Sequence, residues 1–185
     1  MDGSLSKPSQ IVVLVEDQRQ QRFVRKYLAR KGSDGSAIRQ IALPAGKGSG
    51  EQYVREKYAD EVDVFRKRNT RAITWLVVAI DADVLDLAAR ARQLAEKLTD
   101  RGLPRRNDDE AIVHLIPKRN IETWILCLTA EVVDEETDYR HDGRIEASLP
   151  EASMMLSTRS RPNAMPEAHC IPSLHAAVPE LRRIE

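Results

Sequence analysis

Four short apolar runs alternate along the chain with longer amphipathic stretches, and that alternation predicts a parallel sheet wrapped by helices. Residues 11–15, Ile-Val-Val-Leu-Val, are apolar at every position, the pattern of a strand covered on both faces. They stop on Glu16-Asp17. The next stretch sets Phe23, Val24, Tyr27 and Leu28 on one helical face and Arg22, Arg25, Lys26 and Arg30 on the other. Residues 37–43 read as a second strand whose mixed polarity suits a place near a sheet edge, and a strongly charged helix spans 51–69. The third strand, 73–80, ends on Asp81-Ala82-Asp83. Asp83 or a neighbour then opens a helix through Leu85, Leu87, Ala88, Ala91, Leu94, Ala95 and Leu98, which Gly102 and Pro104 stop. The fourth strand, 111–116, meets Pro117, and a basic turn, Lys118-Arg119-Asn120, leads into an amphipathic helix. Beyond Ala130 the pattern weakens: 134–144 is acidic and irregular, 157–168 is loop-like, and 171–184 forms a closing helix. The expected architecture is α/β, a mainly parallel four-stranded sheet flanked by helices. Residues 1–10 are a flexible tail, 11–130 the main domain, and 131–185 a helical or irregular extension packed on it.

Charge narrows the function classes. Among 185 residues, 29 basic and 29 acidic side chains cancel, so any nucleic-acid contact must come from a local patch. Cys127 and Cys170 are far apart and no secretory signal precedes them, which predicts reduced thiols in a cytoplasmic protein. No apolar run approaches a membrane span.

The chemistry gathers at the strand ends. In parallel α/β sheets, functional groups collect outside the carboxyl ends of the strands. Glu16 lies past the first strand, Asp81 and Asp83 past the third, and Glu122 one turn beyond the fourth. If the first and third strands are neighbours, these carboxylates crowd together, and like charges that close need an offsetting cation. Hard oxygen ligands without cysteine favour Mg²⁺ or Mn²⁺. Each acid also has a plainer use: Asp83 as a helix N-cap, Glu122 as first-turn compensation of the helix dipole, Glu16 as a solvated loop acid. The glycine-rich segment 44–50 lacks the spacing of a P-loop, but its amides and Lys47 suit a phosphate at the helix start. Arg66-Lys67-Arg68, with Arg71 close behind, is either a solvated face or a nucleic-acid patch. Trp75, Trp124 and His114 fall within apolar patterns and are assigned to the core. His141, His169, Cys170 and His175 lack paired zinc-ligand spacing.

The glutamate in Val15-Glu16-Asp17 and the pair in Ile80-Asp81-Ala82-Asp83 together resemble the signature of a Toprim domain, the fold of topoisomerase and primase catalytic centres and of OLD-family nucleases. The segment Pro117-Lys118-Arg119-Asn120-Ile121-Glu122-Thr123-Trp124 resembles a later motif of small bacterial Toprim-like proteins. The resemblance covers roughly residues 11–128. It departs from the pattern at Asp17, where many Toprim proteins have glycine, and leaves open whether Asp86 supplies a further acid. Nothing resembles a topoisomerase tyrosine domain or a primase zinc module. The resemblance implies a metal-dependent nuclease with Asp81 and Asp83 as ligands and Glu16 as ligand or general base. Glu122 would complete a second metal site or orient a water, and Lys118, Arg119 and Lys47 would hold the backbone of a DNA or RNA substrate. It also implies an ATPase partner in bacterial anti-phage defence. Two other readings remain. One is a response-regulator receiver phosphorylated on Asp81, although Val84-Leu85-Asp86 and Ile116-Pro117 do not match a receiver's loops. The other is a Toprim-fold binding subunit without catalysis.

Overall fold

The computed structural model describes residues 7–43, 49–164 and 170–184. Most of the glycine-rich loop, with Lys47, and His169 lie outside the described residues. The element order is β1 (Gln10–Leu14), α1 (Gln18–Arg30), β2 (Ile38–Gln40), α2 (Gly50–Asn69), β3 (Thr74–Ala79), α3 (Leu87–Asp100), β4 (Ile112–Leu115), α4 (Ile121–Leu128), α5 (Ile145–Arg159) and α6 (Pro172–Leu181). All strand pairings are parallel, in the order β2-β1-β3-β4. The expected α/β sandwich of one parallel sheet between helical layers is therefore observed.

The uninterrupted apolar strands are explained by two cores, one on each face. Ile11, Val13, Val77, Ala79, Val113 and Leu115 point into a cluster with α1, α4, α5 and α6. Val12, Leu14, Leu76, Val78, Ile80 and Ile112 point the other way, toward α2 and α3. Successive side chains alternate between faces, so a strand buried on both sides has no polar position to spare. The segment after Ala130 shares the first core. Leu149, Ala152 and Leu156 of α5 are buried there, and α5 lies against both α1 and α4.

β2, the mixed strand, is an edge, as its sequence suggests. At the opposite edge, side chains replace a fifth strand beside β4. Arg106 Nη1 donates to the Ile112 carbonyl at 2.7 Å, Glu180 Oε2 accepts from the His114 amide at 2.9 Å, and the two side chains pair with each other. An edge capped in this way offers little template to another chain. His114 is structural: its Nε2 lies 2.9 Å from the Tyr58 hydroxyl, and burial pushes its pKa down to about 3. Trp124 is fully buried and donates to Ser173 Oγ at 2.7 Å.

The strand order fixes where function can sit. From β1 the chain moves outward to β2; from β3 it moves outward in the other direction, to β4. The connections diverge between β1 and β3, leaving a crevice at their carboxyl ends, where ligands bind in open α/β sheets.

Candidate functional site

β1 and β3 pair in register from Gln10 opposite Thr74 to Leu14 opposite Val78, so Glu16 and Asp81 emerge side by side. Glu16 Oε1 accepts a hydrogen bond from the Asp81 backbone amide at 2.6 Å. Gln20, in the first turn of α1 and wholly buried, closes the link. Its Oε1 accepts from the Glu16 amide at 2.9 Å, and its Nε2 donates to Asp81 Oδ1 at 2.8 Å. Asp17 is the N-cap of α1, accepting from the Arg19 and Gln20 amides at 2.8 Å. That cap sets the helix start and with it the direction of Gln20.

The other side chains surround this pair. Asp83 sits at φ 55°, a left-handed conformation that aspartate tolerates better than most residues. It is not the helix cap: α3 begins at Leu87, and Asp86 caps it by accepting from the Ala89 amide at 2.6 Å. Lys118 Nζ donates to the carbonyls of Asp83 and Leu85 at 3.2 and 3.1 Å, which pins the loop between β3 and α3. Glu122 is buried in the first turn of α4, where Arg19 Nη1 donates to its Oε1. The same Nη1 donates to the Arg140 carbonyl at 2.9 Å. Arg90, buried on α3, pairs with Glu51 and donates to the Ala82 carbonyl at 3.2 Å. Arg119 is half-buried and makes no hydrogen bond or ion pair among the described residues.

Close packing holds Glu16 from above. A Cβ added to Gly50, at the start of α2, would sit 2.7 Å from the Glu16 carbonyl oxygen and 2.9 Å from its Cβ. Both are backbone or near-backbone atoms that cannot swing away. Gly50→Ala is expected to cost about 1–3 kcal/mol, the usual range for overpacking. Thermal melting checks this, and an unchanged Tm would show that α2 can shift freely off Glu16.

The electrostatics converge on one carboxyl. Burial, followed by the charges of Glu16, Asp17, Asp83 and Glu122, raises the Asp81 pKa well above the usual carboxylate range. All four acids inferred from the sequence thus bear on this corner. Glu16 is pushed up to about 8, chiefly by burial and then by Asp83 and Asp17, while the Asp81 amide and Arg90 pull it down. A carboxyl raised in the fold holds its proton there at pH values where the unfolded chain has released it. The stability from Glu16 is therefore full below pH 4.5 and lost as pH rises through about 8. In the absence of divalent cation, Tm is expected to fall across that window. Glu16→Gln is expected to flatten the fall. Parallel pH profiles for the two proteins would refute the assignment.

The donor set consists of hard oxygens, and the cationic side chains nearby are largely committed: Arg19 to Glu122, and Arg90 to Glu51, with Asp83 a looser partner of Arg90 at 3.9 Å. A half-buried acid pair left in that state suits a divalent cation. Among the described residues, however, no three His, Cys, Asp or Glu side chains gather around one point as a metal site. The reason is visible in the contacts. Glu16 is turned to the Asp81 amide, Asp81 to Gln20, and Glu122 to Arg19. A full ligand set needs rotation of these side chains, and the fit to the cation lies in donor chemistry.

Gln20, Arg19, Arg90 and Gly50 do not stand out in the sequence as site residues. One signal was present for two of them. Gln20 falls on the apolar stripe with Phe23, Val24 and Tyr27, and Arg90 on the stripe with Leu94 and Leu98. A polar residue on a buried stripe needs a partner. The chain matches no protein-family model, no curated protein and no solved structure. The Toprim resemblance accordingly stands on the residues described above. No helix among the described residues is long and apolar enough to cross a membrane.

Proposed function

We propose that this protein is a divalent-metal-dependent nuclease acting on the phosphodiester bonds of DNA or RNA. The observation that carries the reading is the Glu16–Asp81 contact at the switch point, with Asp17, Asp83 and Glu122 acting on the same carboxyl. Asp81, Asp83 and Glu16 are the residues that would hold Mg²⁺ or Mn²⁺, with Glu122 next to them. When bound, such an ion neutralises phosphate charge and acidifies a water. Where Glu16 is not itself a ligand, its place beside Asp81 suits the general base that accepts a proton from the attacking water. Gln20 orients Asp81, and Lys118 keeps Asp83 in its loop. Arg119, which makes no hydrogen bond among the described residues and lies close enough to Asp138 to lower its pKa, suits a phosphate oxygen of the substrate, contacted without reading sequence.

The test is incubation with single-stranded DNA, duplex DNA and RNA in Mn²⁺, with and without chelator. Cleavage that chelator abolishes is expected; no cleavage of any of the three overturns the reading. A receiver would instead be phosphorylated on Asp81 by acetyl phosphate. The sheet of the described residues, however, has four strands, without the fifth whose end carries a receiver's lysine. The resemblance further suggests a cytoplasmic effector of anti-phage defence that works with an ATPase subunit. Native affinity purification that recovers no ATPase would remove that part of the proposal.

A further inference from the structure

The basic run after Phe65 divides in two. Arg66 is consumed by the fold: its Nε and Nη2 pair with Glu110 at 2.6 and 3.0 Å, and its Nη groups donate to the carbonyls of Pro104 and Arg105. Lys67, Arg68 and Arg71 turn elsewhere. They border an open cleft of about 770 Å³ at the amino ends of β1 and β3, together with Ser9, Thr70 and Thr74. Among the described residues, no aspartate or glutamate lines it.

The cations there are weakly held. Lys67 reaches Asp63 at 2.6 Å, but both side chains are exposed, and such surface pairs contribute little. Arg68 is held by the neutral amide of Gln10. Arg71 makes no hydrogen bond or ion pair through its side chain among the described residues, and its amide is fixed to the Arg68 carbonyl at 2.8 Å. The hydroxyl protons of Ser9, Thr70 and Thr74 are spent on the carbonyls of Ile73, Lys67 and Ala72. These hydroxyls are committed as donors, and recognition falls to the three positive charges. In a chain with zero net charge, a concave surface of this sign is a local exception.

We propose that this cleft is a second nucleic-acid contact, binding the phosphate backbone of a DNA or RNA strand without reading its sequence. It lies at the far end of the sheet from the acid pair, roughly 20 Å away at about 3.3 Å per strand residue. The exposed face of α2 between the two carries Glu56, Lys57 and Asp60, the last paired with Arg101 at 2.8 Å, so it offers no continuous positive track from one to the other. The cleft therefore tethers a long substrate and does not position its scissile bond. The choice of nucleic acid over other polyanions rests on the nuclease reading; the presence of an anion site does not.

Fluorescence anisotropy with a labelled single strand of about 20 nucleotides, titrated at several salt concentrations, tests the proposal. Arg68→Glu/Arg71→Glu is expected to weaken binding on the order of tenfold or more and to lower the salt slope by about two. Arg68→Gln/Arg71→Gln is expected to give a smaller loss in the same direction, and serves if the reversed charges disturb folding. Equal affinity and equal salt slope in the wild type and both variants would overturn the cleft. Mn²⁺ calorimetry on the same proteins separates the two ideas. Unaltered uptake in both arginine variants, with weakened strand binding, supports a separate cleft. Absence of Mn²⁺ uptake in the wild type, with strand binding still lost in the variants, would remove the nuclease reading and keep the cleft. Salt-dependent binding of a labelled heparin fragment, with none of the labelled strand, would overturn nucleic acid as the ligand.

Discussion

Asp81→Asn is expected to reduce Mn²⁺-dependent cleavage by ~10³-fold or more while raising the Tm of the metal-free protein near neutral pH. The two effects share one cause. Burial and four neighbouring carboxylates act against the ionised form of Asp81. Asparagine keeps an oxygen for the Gln20 amide, which now bonds Asp81 Oδ1 at 2.8 Å, and removes the charge. Glu16 then ionises beside a neutral neighbour, so the folded state loses a repulsion. A gain on the order of 1 kcal/mol corresponds to about 2–4 °C in a chain of this size. The increment in Tm that Mn²⁺ gives the wild type is expected to vanish in the variant. Lost cleavage with a lowered Tm would mark Asp81 as a structural residue and favour the non-catalytic subunit. Retained cleavage would place the chemistry elsewhere.

Much of this corner was readable from the chain because burial on both faces leaves a distinct trace. Residues 11–15 have no polar position and 73–80 only Thr74, so they read as central strands, and the acids that end them are conspicuous. The pairing of β1 with β3 was not readable, since strand order depends on which helices pack on which face, and the spacing along the chain does not record that. The helix α5 was also missed. Its sequence, IEASLPEASMMLSTR, contains Pro150 and several hydroxyl residues, and it is buried between α1 and α4 without one simple apolar stripe. The helix expected to open at Asp83 or a neighbour begins instead at Leu87, because Asp83 and Asp86 are equally good caps by type. Lys118 decides among them by holding the backbone of Asp83 and Leu85 outside the helix. Gln20 shows a different limit. Its position on an apolar stripe announces that it has a partner, but identifying that partner requires the end of β3.

Arg19→Ala separates the structural from the chemical role of Glu122. Glu122 is only 3% exposed, and among the described residues Arg19 is the one cation bonded to it. Removing one partner of a buried pair leaves the other charge uncompensated, at a cost of roughly 3 kcal/mol even where the pair itself adds little. Arg19 is 26% exposed, so water can enter the vacated space and the loss falls at the lower end of the usual range. The carbonyl of Arg140 also loses its donor, which adds a smaller increment. Arg19→Ala/Glu122→Gln is expected to recover most of the loss, because the stranded charge is gone; a double-mutant cycle in thermal or urea unfolding measures the coupling. Mn²⁺ then provides the deciding comparison. If Glu122 belongs to the metal centre, the ion takes over the role of the guanidinium, and Mn²⁺ stabilises Arg19→Ala more than the wild type. If Glu122 serves only to anchor α4 against α1, Mn²⁺ stabilises both proteins equally, and the second-metal role for Glu122 is lost while Glu16 and Asp81 keep theirs.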